Sequence, residues 1–210
     1  MARRKITYYF ALTSTWAYVG YRSFADLVKR LDLEVDYRPL PLHDLFDATG
    51  GLPLPRRSPT RQNYRILELQ RWREKLGLNF NLYPKHWPLH NSLGDRMVLA
   101  ALETGKDIHP LLLEYFTNIW EKEANLEDKD TLIALADKAG FDGKQLAERA
   151  EAPEIEARYQ NNLKHAADNG VYGTPSVILD GELFWGQDRL PLLEDAITSG
   201  RAPYVIPPRP

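Results

Sequence analysis

Strand-forming patterns stand only at the two ends of this chain, with roughly a hundred residues of helical pattern between them. Ile6 to Leu12 is aromatic and β-branched, as a buried strand requires. Thr13-Ser14-Thr15 then offers hydroxyls suited to a helix N-cap. A helix is predicted from Trp16 to Leu31, because Phe24, Leu27, Val28 and Leu31 recur at helical spacing. Leu33 to Tyr37 alternates as a second strand. At the other end, Ser176–Leu179 and Glu182–Trp185 flank Asp180-Gly181, a two-residue hairpin turn whose residues tolerate positive φ. A last helix is predicted from Asp188 to Thr198, and the proline-rich tail from Pro203 to Pro210 reads as extended.

Between these ends, Ser58-Pro59 is a cap with proline at the first helical position, opening a helix to Leu76. Ser92 with Asp95 resembles a capping box before a helix to Glu103. Ile108 to Trp120 is strongly amphipathic. Further helices are predicted at Asp130–Ala139, Gly143–Ala150 and Pro153–Asp168. The order β-α-β, helical block, β-β-α is an α/β class. Its simplest solution puts all four strands in one sheet, with the block as a lid over a cleft.

The chain contains no cysteine, which excludes disulfides, thiolate metal sites and cysteine nucleophiles. With 27 basic and 29 acidic residues, it carries no electrostatic footprint for nucleic acid or anionic membrane. No stretch is long and apolar enough for a membrane span, and Met1 to Lys5 lacks a following signal-peptide apolar region, so it reads as a short flap before the first strand. A cytoplasmic address is the default expectation. The five histidines, His43, His86, His90, His109 and His165, show no ligand spacing, so no metal is expected.

Two segments can carry chemistry. Ser14-Thr15-Trp16-Ala17 sits at a predicted helix N-terminus, where free N–H groups and the helix dipole favour an anion. A thiolate there would have to come from a ligand. The plain alternative is that Ser14 is only an N-cap. The second segment is Gly173-Thr174-Pro175, where a proline enters a strand; a cis bond at Thr174-Pro175 would present the Thr174 backbone to a ligand.

Together these segments resemble the thioredoxin fold, with Ser14 to Ala17 in place of Cys-x-x-C. The helical insertion resembles DsbA, and the loss of both cysteines resembles kappa-class glutathione transferases and 2-hydroxychromene-2-carboxylate isomerases. Three stretches carry the likeness: Ser14-Thr15-Trp16-Ala17-Tyr18-Val19; Tyr64 through Glu68-Leu69-Gln70-Arg71-Trp72 to Asn91-Ser92; and Gly170-Val171-Tyr172-Gly173-Thr174-Pro175 with Gly181-Glu182 and Trp185-Gly186-Gln187-Asp188-Arg189-Leu190. The last is the most specific.

The resemblance implies a thioredoxin-like domain of residues 1–42 and 170–210 around a helical insertion of residues 43–169. It implies glutathione as cofactor, with its thiolate held by Ser14 and its cysteinyl part on the backbone at Thr174 and Pro175. Its γ-glutamyl end would lie on Trp185, Gly186, Gln187 and Asp188. Asp188 suits an α-ammonium and the last helix N-terminus an α-carboxylate, although Asp188 is equally a helix-start acid. A small aromatic substrate would meet Phe46, Arg56, Arg57 and Trp87, and either arginine can fork onto a carboxylate or simply belong to a solvated loop. A homodimer is also implied.

This chain departs from the pattern at four places. Thr15 replaces the usual proline, which is expected to loosen the active turn. Ala11 replaces an acid, Gly51 an asparagine of kappa transferases, and Phe46 a substrate-binding lysine of the isomerases. The implied activity is glutathione-dependent isomerisation of 2-hydroxychromene-2-carboxylate or a close analogue. The alternatives are a kappa-like transferase and a non-catalytic thioredoxin-fold binding protein. Disulfide exchange has no cysteine to use.

Overall fold

A computed structural model describes residues 3–207 of the chain. The first strand, β1 (Lys5–Phe10), is buried on both faces apart from its start, which explains its run of aromatic and apolar residues. It pairs in parallel with β2 (Glu34–Pro39), the two being connected through helix α1 (Thr15–Arg30). β3 (Ser176–Leu179) adds antiparallel to the other side of β1, and β4 (Glu182–Trp185) pairs antiparallel with β3. The single sheet therefore runs β2-β1-β3-β4. The β3–β4 turn has Asp180 at φ 50° and Gly181 at φ 85°, as the Asp-Gly pair predicts.

The intervening segment is helical throughout its regular elements. It holds α2 (Leu42–Thr49), a 3₁₀ turn at Leu54–Arg56, α3 (Pro59–Lys75), α4 (Leu93–Glu103), α5 (His109–Trp120), α6 (Lys129–Lys138), α7 (Gly143–Ala150) and α8 (Pro153–Asp168). A 3₁₀ turn at Gln187–Arg189 then leads into α9 (Leu190–Ser199).

Alternation along β1 sends side chains to two different cores. Tyr8 and Phe10 face α1, where the Tyr8 ring stacks on Phe24 at 3.9 Å. Tyr9 faces the opposite way, into a smaller cluster with Leu40, Leu45, Ala166 and Val171 from α2, α8 and their flanks. The larger core continues from the sheet through α1 into α4, α5, α6 and α7, with Trp120, Tyr115 and Phe116 buried in it. Among the described residues no helix is long and apolar enough to cross a membrane.

Three local expectations are corrected. Ser92 makes no side-chain cap bond to α4. Asp95 is no capping partner, because its side chain turns inward and accepts Leu12 N–H at 3.0 Å and Tyr159 O–H at 3.1 Å. The last helix begins at Leu190, not Asp188: Gly186 at φ 106° breaks the chain direction and a 3₁₀ turn intervenes. Helix α2 was not resolved from the pattern, since Pro41 at its N-cap supplies no capping side chain.

Candidate functional site

Ser14 caps α1, and its hydroxyl oxygen accepts Ala17 N–H at 3.2 Å. The same hydroxyl donates to the Thr174 carbonyl at 3.1 Å, across 160 residues of sequence. The cap reading holds, and the same side chain joins the two candidate segments. A serine hydroxyl has one proton to donate. Any thiolate accepting from Ser14 therefore takes the bond now made to Thr174. The Thr174-Pro175 bond is cis, as is Trp87-Pro88. Thr174 Oγ1 is buried without a hydrogen-bond partner among the described residues.

Ser14 and Thr174 lie in a cleft of about 470 Å³, within the usual range for small-molecule sites. Its floor is Thr13 to Trp16 at the start of α1. One wall is α2 and the following loop, with Phe46, Gly51 and Leu52; another is α3, with Arg61 and Arg65. Trp87 and Pro88 close one end, and Tyr172, Gly173 and Trp185 the other. The two latter aromatic rings meet at 4.6 Å and remain partly exposed. A Cβ at position 173 would stand 2.6 Å from the Trp185 indole nitrogen, so glycine there allows the indole to lie across the turn.

The cleft gathers Ser14, Thr174, Trp185, Phe46, Arg57 and Trp87 from the sequence-predicted set. It does not gather the rest. Arg56 is exposed and outside the lining. Gly186 donates its N–H to the Pro175 carbonyl at 2.9 Å, behind the cleft wall. Gln187 is buried against Gly20 of α1, and Asp188 pairs with Arg189 at 2.6 Å. The departures at positions 46 and 51 are coupled by packing, because a Cβ at Gly51 would stand 2.5 Å from the Phe46 ring. A larger residue at 51 would require the Phe46 ring to move.

Arg61 and Arg65 were missed. The signal was present: Arg57, Arg61 and Arg65 recur every fourth residue, a spacing that puts Arg61 and Arg65 on one face of α3. That pattern reads equally as a solvated helix face, and only the neighbouring loop shows that it faces a cleft. Arg57 lies 6.0 Å from the Phe46 ring centre and donates to the Leu52 carbonyl at 2.8 Å. Arg65 lies 5.4 Å from the Trp87 ring centre and donates to Thr15 Oγ1 at 2.6 Å. Thr15 thus bonds the start of α1 to α3. No carboxylate lines the cleft among the described residues. Burial, and then the neighbouring Arg57, push Arg65 down to about 10, and burial with Arg61 lowers Arg57. The cleft is a largely apolar slot with a cationic wall and a helix N-terminus at its floor, a combination that favours an anion over a cation.

Comparison with known proteins agrees with this architecture. The family described as a DSBA-like thioredoxin domain matches residues 5–198. A 2-hydroxychromene-2-carboxylate isomerase from Sphingobium xenophagum is 26% identical over 193 residues, covering 91% of this chain and 96% of that protein. Glutathione S-transferase kappa 1 of Homo sapiens is 20% identical, covering 90% of this chain and 89% of that one. Among solved structures, a selenomethionine 2-hydroxychromene-2-carboxylate isomerase superposes with a TM-score of 0.76 at 22% identity, over 93% of this chain and 95% of the other.

Proposed function

The chain belongs to the DsbA-like thioredoxin-domain family, and on that footing we propose that it is a glutathione-dependent isomerase acting on a small aromatic acid. The substrate we assign is 2-hydroxychromene-2-carboxylate, interconverted with trans-o-hydroxybenzylidenepyruvate, or a close analogue. The observation that carries this reading is the contact of Ser14 Oγ with the Thr174 carbonyl inside an aromatic, cationic cleft. Glutathione fits the residues present: the helix N-terminus favours a thiolate, and buried Thr174 Oγ1 still has hydrogen-bonding capacity to give. When bound, glutathione supplies a thiolate able to add reversibly to a conjugated carbon and free a double bond to rotate.

The protein's part is positioning and charge. With glutathione bound, Ser14 would hold the sulfur by turning its O–H from the Thr174 carbonyl to it. The Thr174 backbone would align the cysteinyl unit, with Pro175 fixed behind it by its bond from Gly186, and Trp185 with Tyr172 would flank the γ-glutamyl end, with Gly186, Gln187 and Asp188 supporting that wall from behind. Trp87 and Phe46 face the substrate's ring, and Arg57 with Arg61 takes its carboxylate.

Ser14→Ala tests the assignment. It is expected to lower glutathione-dependent turnover roughly 10–100-fold, the worth of one hydrogen bond to a charged group. Turnover unaffected both by glutathione removal and by Ser14→Ala would sink the proposal. Product mass separates the two enzymatic outcomes, since an isobaric product marks an isomerase and a glutathione adduct a transferase. Absence of calorimetric glutathione binding marks a non-catalytic binding protein.

A further inference from the structure

Ser14 is bracketed by two tethers from outside its own helix. On one side, Trp87 Nε1 donates to the Thr13 carbonyl at 2.8 Å. On the other, Arg65 Nη2 donates to Thr15 Oγ1 at 2.6 Å. The tethers meet, because the Arg65 guanidinium lies over the Trp87 ring at 5.4 Å. This closed chain of contacts, Thr13 to Trp87 to Arg65 to Thr15, fixes a guanidinium beside the N-terminus of α1. Thr15 is buried and Arg65 half-buried, so solvent screens the charge little. Proline at position 15, as in the pattern this chain resembles, has no hydroxyl to accept that bond. The substitution and the arginine therefore form a pair.

We infer that Arg65, anchored on Thr15 and Trp87, is a positioning residue that holds the sulfur bound at Ser14 in its thiolate form. The inference rests on the glutathione reading above. The helix N-terminus alone lowers a thiol pKa, and a fixed opposite charge nearby lowers it further. The thiol proton leaves to solvent. The other ionisable groups facing Arg65 and the cleft are His43 from α2, Arg57 and Arg61 from the loop and α3, Tyr83 from the following loop, and Tyr172. None is a carboxylate that would neutralise Arg65. With Arg65 ionising at about 10, it stays cationic through the pH range in which a thiol titrates.

The test is the pKa of bound glutathione, read from thiolate ultraviolet absorbance against pH in the wild-type chain and in Arg65→Met, Arg65→Lys and Thr15→Val. Arg65→Met is expected to raise the bound thiol pKa by about one unit, and the acid limb of the kcat/KM profile should move up with it. Thr15→Val should give a smaller rise, with the two changes non-additive in combination. Arg65→Lys should restore most of the shift. S-methylglutathione, which has no thiol to ionise, should bind Arg65→Met as it binds wild type. A bound-thiol pKa equal in wild type and Arg65→Met overturns the inference while leaving the glutathione reading intact. Equal loss of glutathione and S-methylglutathione affinity without a pKa change also overturns it, by making Arg65 merely structural. If wild type binds no glutathione in calorimetry, the functional reading fails and this inference fails with it.

Discussion

At the scale of single residues, two polar side chains organise the turn before α1, one from each direction. Ser14 works within it, and Asp95 works from behind. Asp95 reaches from α4 to the Leu12 N–H, two residues before Ser14, and is closed off by the Tyr159 hydroxyl. Burial is the main influence on its carboxyl, raising it from 3.8 to about 7 against the opposing pull of those two hydrogen bonds. The consequence for stability has a definite sign. Below the ordinary carboxyl pKa both folded and unfolded chains hold the proton, and Asp95 exacts no penalty. As pH rises from 3.8 towards about 7, the unfolded chain ionises first and stability falls. Above that window both states are ionised and the penalty is constant. Asp95→Asn keeps an acceptor for Leu12 and turns an amide donor towards the Tyr159 hydroxyl oxygen, reversing the bond that Tyr159 now donates, and having no proton to lose it should abolish this component. Denaturant titrations should show the variant gaining on wild type by roughly 2–4 kcal/mol between the acid and neutral ends of that window. Parallel pH–stability curves would count against it. None of this was legible beforehand, because an Asp three residues after a Ser reads as a capping box until its side chain is seen to point inward.

At the scale of elements, legibility depended on whether an element carries its own punctuation. Helices α7 and α8 fall where Gly143–Ala150 and Pro153–Asp168 were predicted, since glycine, proline and aspartate mark their ends. The β3–β4 hairpin was equally plain from Asp180-Gly181. Helix α2 and the 3₁₀ turn at Gln187–Arg189 have no capping side chain at their starts, and the glycines beside them, Gly50 and Gly186, do not by themselves mark a helix. The 3₁₀ turn is seated on α1 through Gly20, where a Cβ would stand 2.4 Å from Gln187 Cβ. Gly20→Ala therefore forces α1 and the Trp185–Asp188 segment apart. A net destabilisation of about 1–2 kcal/mol is expected, the overpacking cost outweighing alanine's better helix propensity. Because the displaced segment includes the Trp185 wall, glutathione affinity should fall as well. A variant of wild-type stability and affinity would show that the contact is absorbed locally.

At the scale of the molecule, the cleft belongs to no single element. Its floor comes from residues 13–16, its walls from α2 and α3, and its ends from residues 87–88 and 172–185. A ligand spanning these parts binds only the folded chain, so it must stabilise the whole. Glutathione at about 100 times its dissociation constant adds about 2.7 kcal/mol, an upward melting shift of about 5–10 °C for a chain of this size. Calorimetric melts with and without glutathione measure it, and no shift at saturating ligand would contradict the assigned site.

What the sequence determined by itself was the β-α-β, helical block, β-β-α order, a four-stranded sheet as its simplest arrangement, the hairpin, the exclusion of cysteine chemistry and the two segments that meet at Ser14 and Thr174. These follow from local rules: side-chain period, caps, turn residues and residue inventory act over a few positions and can be read without neighbours. The tertiary structure alone decided which arginines line the cleft, where Asp95 points, that Gln187 packs away from the cleft and that Thr15 bonds the start of α1 to α3. Those outcomes depend on burial and on partners distant in sequence. A charged or polar residue carries no local mark of whether it will meet water, a ligand or another side chain.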